Sequence, residues 1–190
     1  MKEKLLLCGN YGVENVGDEA ILRALIQKYG PDYEITVMSA NPPRTAAKMG
    51  VKAVGFWPTG FRSWGRAMFS PRGRSDFKTT QKALYKCDIF MLGGGTLLTD
   101  EPLRSLWIWG QHLEEAYRAK KRVWIEANGI GPLRNTPWVG EILRRAEQVT
   151  VRDAKSMEWC KRLGVSGARQ VKDPVFEWSP PEGAPSISTE

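Results

Sequence analysis

The 190-residue chain has little of what metal, disulfide and acid–base enzymes are built on: three cysteines and one histidine. Cys8, Cys87 and Cys160 are too far apart for a zinc spacing or a redox pair, so they read as small apolar core residues. His112 stands alone among Gln111, Glu114 and Glu115, and is expected on the exposed side of a helix, which excludes a His-based nucleophile relay or metal centre. No apolar run approaches membrane-spanning length, and Met1 to Cys8 is too short for a secretory core, so a cytoplasmic protein is expected. No internal repeat is present. What remains, 42% hydrophobic and 26% charged residues, is the composition of one globular domain with a real core.

The net charge of +7 is unevenly placed. Between Trp57 and Lys78, Arg62, Arg66, Arg72, Arg74 and Lys78 face the single acid Asp76, interleaved with Phe61, Trp64, Met68 and Phe69. That mixture suits a solvated loop or a contact with the inner, anionic face of a membrane. Nucleic acid is not expected, because the cations are confined to one segment with no recognition motif.

Apolar runs alternate with helical patterns along the chain. Strands are expected at 4–8, 33–38, 51–54, 87–92, 122–127, 148–151 and 169–171. Helices are expected at 18–29, 45–49, 76–85, 137–146 and 153–163, and after Pro102 with Leu103, Leu106, Trp107, Leu113 and Tyr117 as its buried stripe. The alternation predicts an α/β fold, a Rossmann-like doubly wound parallel sheet, over residues 1–177. Residues 178–190, rich in Pro and Ser, read as a flexible linker.

Glycines mark three strand ends: Gly9-Asn-Tyr-Gly12-Val-Glu-Asn15-Val-Gly17-Asp18, Gly93-Gly94-Gly95-Thr96 running on to Asp100, and Asn128-Gly129-Ile-Gly131-Pro132. Side-chain-free turns on one rim are where open sheets bind ligands. Gly12 and Gly17 allow tight turning, Asp18 is expected to cap the following helix, and Tyr11 and Asn15 look free for a ligand. Three consecutive glycines cost roughly 0.5–1 kcal/mol each against alanine, which a close ligand would offset, as would packing beneath a helix. Arg152, at the end of 148–151, offers a fork for carboxylate or phosphate, or a salt bridge to Asp153 or Glu126.

Five segments in order, 9–22, 91–100, 127–132, 150–156 and 171–176, resemble the signatures of the polysaccharide pyruvyl transferase family, most closely its CsaB-like branch, over residues 4–176. The resemblance implies half of a two-domain, glycosyltransferase-B-like enzyme without a cofactor or metal. Such an enzyme moves the enolpyruvyl group of phosphoenolpyruvate onto a lipid-linked, N-acetylmannosamine-containing cell-wall saccharide as a 4,6-ketal. It implies Tyr11, Asp18 and Asp100 as catalytic residues, and Gly12, Asn15, Gly94, Gly95, Thr96, Asn128 and Arg152 as substrate-binding. Val13 departs from the aromatic common at its position, and the family's second domain, with its histidine and further cations, is expected to be missing. Little turnover is therefore expected from the chain by itself. Two other readings stay open: a saccharide- or anion-binding module without chemistry, and half of a sugar-nucleotide glycosyltransferase.

Overall fold

A computed structural model describes residues 2–101, 103–134 and 136–178. Its elements are β1 (Glu3–Cys8), α1 (Val16–Tyr29), β2 (Tyr33–Met38), α2 (Pro42–Met49), β3 (Lys52–Val54), α3 (Phe61–Phe69), α4 (Pro71–Lys86), β4 (Ile89–Gly93), α5 (Leu103–Arg118), β5 (Arg122–Asn128), α6 (Thr136–Arg144), β6 (Gln148–Val151), α7 (Ala154–Arg162) and β7 (Arg169–Gln170), followed by a 3-10 turn at Pro174–Glu177. The linker expected at 178–190 lies, from residue 179 on, outside the described residues, as do Pro102 and the Leu103 side chain.

The seven strands form one sheet in the order β3-β2-β1-β4-β5-β6-β7, and every pairing is parallel. Parallel strands are covered on both faces and so read as apolar runs rather than alternating ones. Leu5 to Cys8 and Ile89 to Leu92 are all at most 1% exposed. One core layer packs Leu5, Leu7, Ile89 and Met91 beneath Ile21, Leu22 and Leu25 of α1. The other packs Leu6, Cys8, Phe90 and Leu92 beneath α4, α5, α6 and α7. The three cysteines are buried and unpaired.

The order reverses between β1 and β4. From β1 the chain winds outward through β2 and β3, and from β4 it winds the other way through β5, β6 and β7. Loops leaving the carboxyl ends of β1 and β4 therefore diverge over opposite faces and open a crevice between them. That crevice is where the first two glycine segments lie.

Three sequence expectations change. Residues 61–75, expected as a basic loop, form α3 and the start of α4. Ser70 accepts from Gly73 N at 2.9 Å and Pro71 sits in the first turn, both helix-start devices. His112, expected at the surface, is 1% exposed, and Trp107, expected in the core, is 54% exposed, with Trp109 taking the inward position.

Candidate functional site at the carboxyl edge of the sheet

The first loop is held by its own side chains. Asn15 caps α1, its Oδ1 accepting from Gly17 N at 2.9 Å, so Asn15 and not Asp18 is the capping residue. Glu19 accepts from Gly12 N at 3.1 Å and pairs with Lys48 at 3.2 Å. Gly12 has φ +78°, and a Cβ there would collide with Ser39 Oγ, so the position admits glycine alone.

Tyr11 is not free for a ligand. It is 1% exposed, and its hydroxyl donates to Gly93 O at 2.6 Å. Burial pushes its phenol pKa well above the ordinary value. The side chain is a strut between the β1 and β4 loops, with its hydroxyl engaged by the Gly93 carbonyl.

The glycine run after β4 has a packing reason as well. A Cβ on Gly93 would stand 2.6 Å from Leu25 Cδ1 and one on Gly94 would collide with Ile21 Cγ2, so α1 seats directly on these residues. Gly95 lies at the crevice, where the same construction comes 3.4 Å from Asp18 Oδ1. Beyond it the loop zips along the one after β5: Gly129 N donates to Gly95 O at 2.8 Å, Gly131 N to Leu98 O at 2.8 Å, and Asp100 N to Pro132 O at 3.0 Å. Asp100 is 5% exposed and its carboxylate accepts from Arg134 N. Asp100 therefore joins two loops below the surface.

Asn128 closes the same wall. It has no exposed surface, and its amide donates to Leu92 O at 2.9 Å and Glu126 O at 3.3 Å. Its Oδ1 is buried and, among the described residues, has no hydrogen-bond partner. It ties β5 to β4 instead of facing the crevice. The register break between Ile125 and Asn128, with Ala127 at φ +48°, turns the end of β5 in this way.

Arg152, Thr96 and Asp18 do face the crevice. Arg152, one residue past β6, donates from Nη2 to Thr96 Oγ1 at 2.6 Å and from Nη1 to Asp173 Oδ2 at 3.2 Å. Asp153 lies 3.9 Å from Nε. The guanidinium is thus fixed in direction by two neighbours and retains N–H donors for a further group. Its acid partners are Asp173 and, at the longer distance, Asp153, not Glu126, which instead pairs with Lys28 at 2.8 Å and accepts from Thr150 at 2.8 Å. Asp173 belongs to the resembling segment 171–176, yet its side-chain role had no sequence signal.

Asp18, in the first turn of α1, accepts from Asn10 Nδ2 at 2.7 Å. Burial raises its carboxyl pKa, and Glu19 adds to this, while the Asn10 bond and the nearby Arg152 charge work the other way. Arg152, Thr96, Asp18 and Gly95 thus form a small polar cluster over the β1/β4 switch. Beside it a groove of about 570 Å³ runs from Asn10 past Ser39 and Trp57 to His112, with Arg66 and Arg72 on its outer wall. A depression of about 490 Å³ near Lys4, Lys52 and Lys86 lies at the amino ends of the strands, away from this cluster.

Fold and site together define a Rossmann-like α/β protein with a fixed arginine at the switch-point edge. The chain belongs to the polysaccharide pyruvyl transferase family, whose model matches residues 15–189. No curated protein matches the sequence. Among solved structures it is similar to the TrkA-N domain of the inner membrane protein ybaL from Escherichia coli, at 15% identity and TM-score 0.43, covering 87% of this chain and 98% of that one. It is also similar to an imine reductase V8 variant from Myxococcus stipitatus in complex with NAD+, at 13% identity and TM-score 0.42, covering 93% of this chain and 57% of that one.

Proposed function

We propose that the crevice binds phosphoenolpyruvate and that the protein transfers its enolpyruvyl group to two hydroxyls of a cell-wall saccharide, giving a 4,6-ketal. The observation that carries this reading is Arg152, fixed by Thr96 and Asp173 with Asp18 beside it. The fork suits the donor's carboxylate or phosphate, and its prior fixing lowers the ordering cost of binding.

The reaction sets a short list of requirements. The donor's methylene carbon gains a proton, C2 bonds to two sugar oxygens, and the C2–O bond to phosphate breaks. Of the two hydroxyl protons released, one balances the proton gained by the methylene and the other leaves on phosphate. Asp18 fits the proton-donor role by its place beside Arg152 and by burial that raises its pKa. Arg152 counters the charge of the donor and of the departing phosphate. In this reading the acceptor, lipid-linked and N-acetylmannosamine-containing, lies in the adjoining groove, whose aromatic rings at Trp57 and Trp109 and cations at Arg66 and Arg72 suit a saccharide carrying negative charge. A second domain supplies the remaining acid–base groups.

Calorimetric titration tests the reading. Phosphoenolpyruvate is expected to bind the chain, and Arg152→Ala to weaken that binding by about 10- to 100-fold, the range for losing a charged hydrogen bond. Unchanged affinity in Arg152→Ala removes Arg152 from the site. A nucleotide sugar whose binding depends on Arg152, with no response to phosphoenolpyruvate, assigns the crevice to glycosyl transfer.

A further inference from the structure

Helix α3 turns an apolar stripe outward. Phe61 is 95% exposed, Phe69 85%, Met68 56% and Trp64 38%. These positions, i, i+3, i+7 and i+8, share one helical face. The helix is nonetheless anchored: Ala67 is 6% exposed, and the Trp64 ring meets those of Trp57 and Phe77 at 6.3 and 5.5 Å. Trp107, also exposed, donates from its indole to Thr59 O at 3.2 Å and so stands beside the start of the stripe.

Cations surround these rings. Arg62, Arg66, Arg72, Arg74 and Lys78 are all exposed, and among the described residues none of the five takes part in a salt bridge. Asp76 is the sole acid from 57 to 78. A bilayer interface accepts rings at the headgroup level and pairs cations with anionic lipid, which matches a patch with five cations and one acid.

We propose that α3 and the start of α4 form a docking surface for an anionic phospholipid bilayer. Phe61, Met68 and Phe69 enter the interface, and Arg62, Arg72 and Arg74 meet the headgroups. This proposal does not depend on the donor site assigned to the crevice, since it rests on the exposed faces of α3 and the start of α4. It adds a consequence for it: Arg66 and Arg72 also border the groove, so docking brings the mouth of the groove to the membrane surface.

Co-sedimentation of the full chain with vesicles is the test. Binding is expected to phosphatidylcholine vesicles containing phosphatidylglycerol, weak binding to phosphatidylcholine alone, and loss as salt rises from low to physiological strength. Phe61→Ser with Phe69→Ser should weaken binding by about tenfold per ring. Arg72→Gln and Arg74→Gln should each weaken it about fivefold. All four positions are exposed, so thermal unfolding should not change, which separates lost docking from lost folding. Equal binding to both vesicle types, no binding, or a Phe61/Phe69 double variant that binds like the parent overturns the proposal. So does self-association abolished by that double variant without any vesicle binding, which would make the stripe a protein interface.

Discussion

His112 gives the chain a built-in acid sensitivity whose size follows from its surroundings. Its Nδ1 lies 2.8 Å from Ile108 O, which fixes that nitrogen as the donor in the neutral ring. Nε2 is buried and, among the described residues, has no hydrogen-bond partner. The rings of Phe56 and Trp109 stand 5.6 and 5.7 Å from the imidazole. Protonation would place an N–H and a full charge among apolar rings, and burial accordingly pushes the His112 pKa down from 6.5 to about 4. Because the folded-state value is the lower one, the unfolded chain binds the proton first. The contribution to stability is complete above pH 6.5 and falls away as pH drops toward 4. At about 1.4 kcal/mol per pH unit the loss is on the order of 3 kcal/mol.

The assay is urea unfolding between pH 7 and pH 4 on the parent and on His112→Phe, which keeps a ring against Phe56 and Trp109. At pH 7 the two should lie within about 1 kcal/mol, the worth of the lost Nδ1 hydrogen bond. At pH 4 the parent should have lost about 3 kcal/mol more than the variant. Since this is the chain's one histidine, its Cε1–H resonance can be followed without assignment ambiguity. A ring titrating near its ordinary value, or superimposable pH profiles for parent and variant, would refute the reasoning.

Two further variants separate the frame of the crevice from its working groups. Tyr11→Phe leaves the buried Gly93 carbonyl without its phenolic donor and should cost about 1–2 kcal/mol in denaturant unfolding. Phosphoenolpyruvate affinity should hold within about twofold, since a single hydrogen bond remote from the ligand adds little to binding. Unchanged stability with lost binding would instead place Tyr11 among the ligand-contacting groups. Gly94→Ala, at φ +69° and against Ile21, should destabilise by about 2 kcal/mol or more, seen as a lower urea midpoint. A variant as stable as the parent would show that α1 does not bear on this loop.

The strands and the rim they share were readable because parallel strands, buried on both faces, appear as unbroken apolar runs such as Leu5 to Cys8 and end in glycine. Helix α3 and the start of α4, residues 61–75, were hidden by Gly65, Gly73 and exposed rings that break the usual inward pattern, although Ser70-Pro71 carried a start signal. His112 was misread from its sequence neighbours. On a helix the relevant ones are Ile108, Trp109 and Ala116, three and four residues away, and these face the core side. Arg152 and Thr96 were recognisable as site residues, but their mutual contact joins positions 56 apart in sequence, which no local pattern encodes. Tyr11, Asp100 and Asn128 sat in the right loops. Whether such a side chain points into the crevice or into the wall depends on packing beneath α1 and across β4 and β5, which appears only once the sheet is assembled.

A crystal structure of the protein with phosphoenolpyruvate would decide whether the β1/β4 crevice is the donor site. Density for the ligand's carboxylate or phosphate is expected against the Arg152 guanidinium, next to Gly95, Thr96 and Asp18. Density for the ligand elsewhere, with the Arg152 contacts to Thr96 and Asp173 undisturbed and the crevice unfilled, would contradict that assignment.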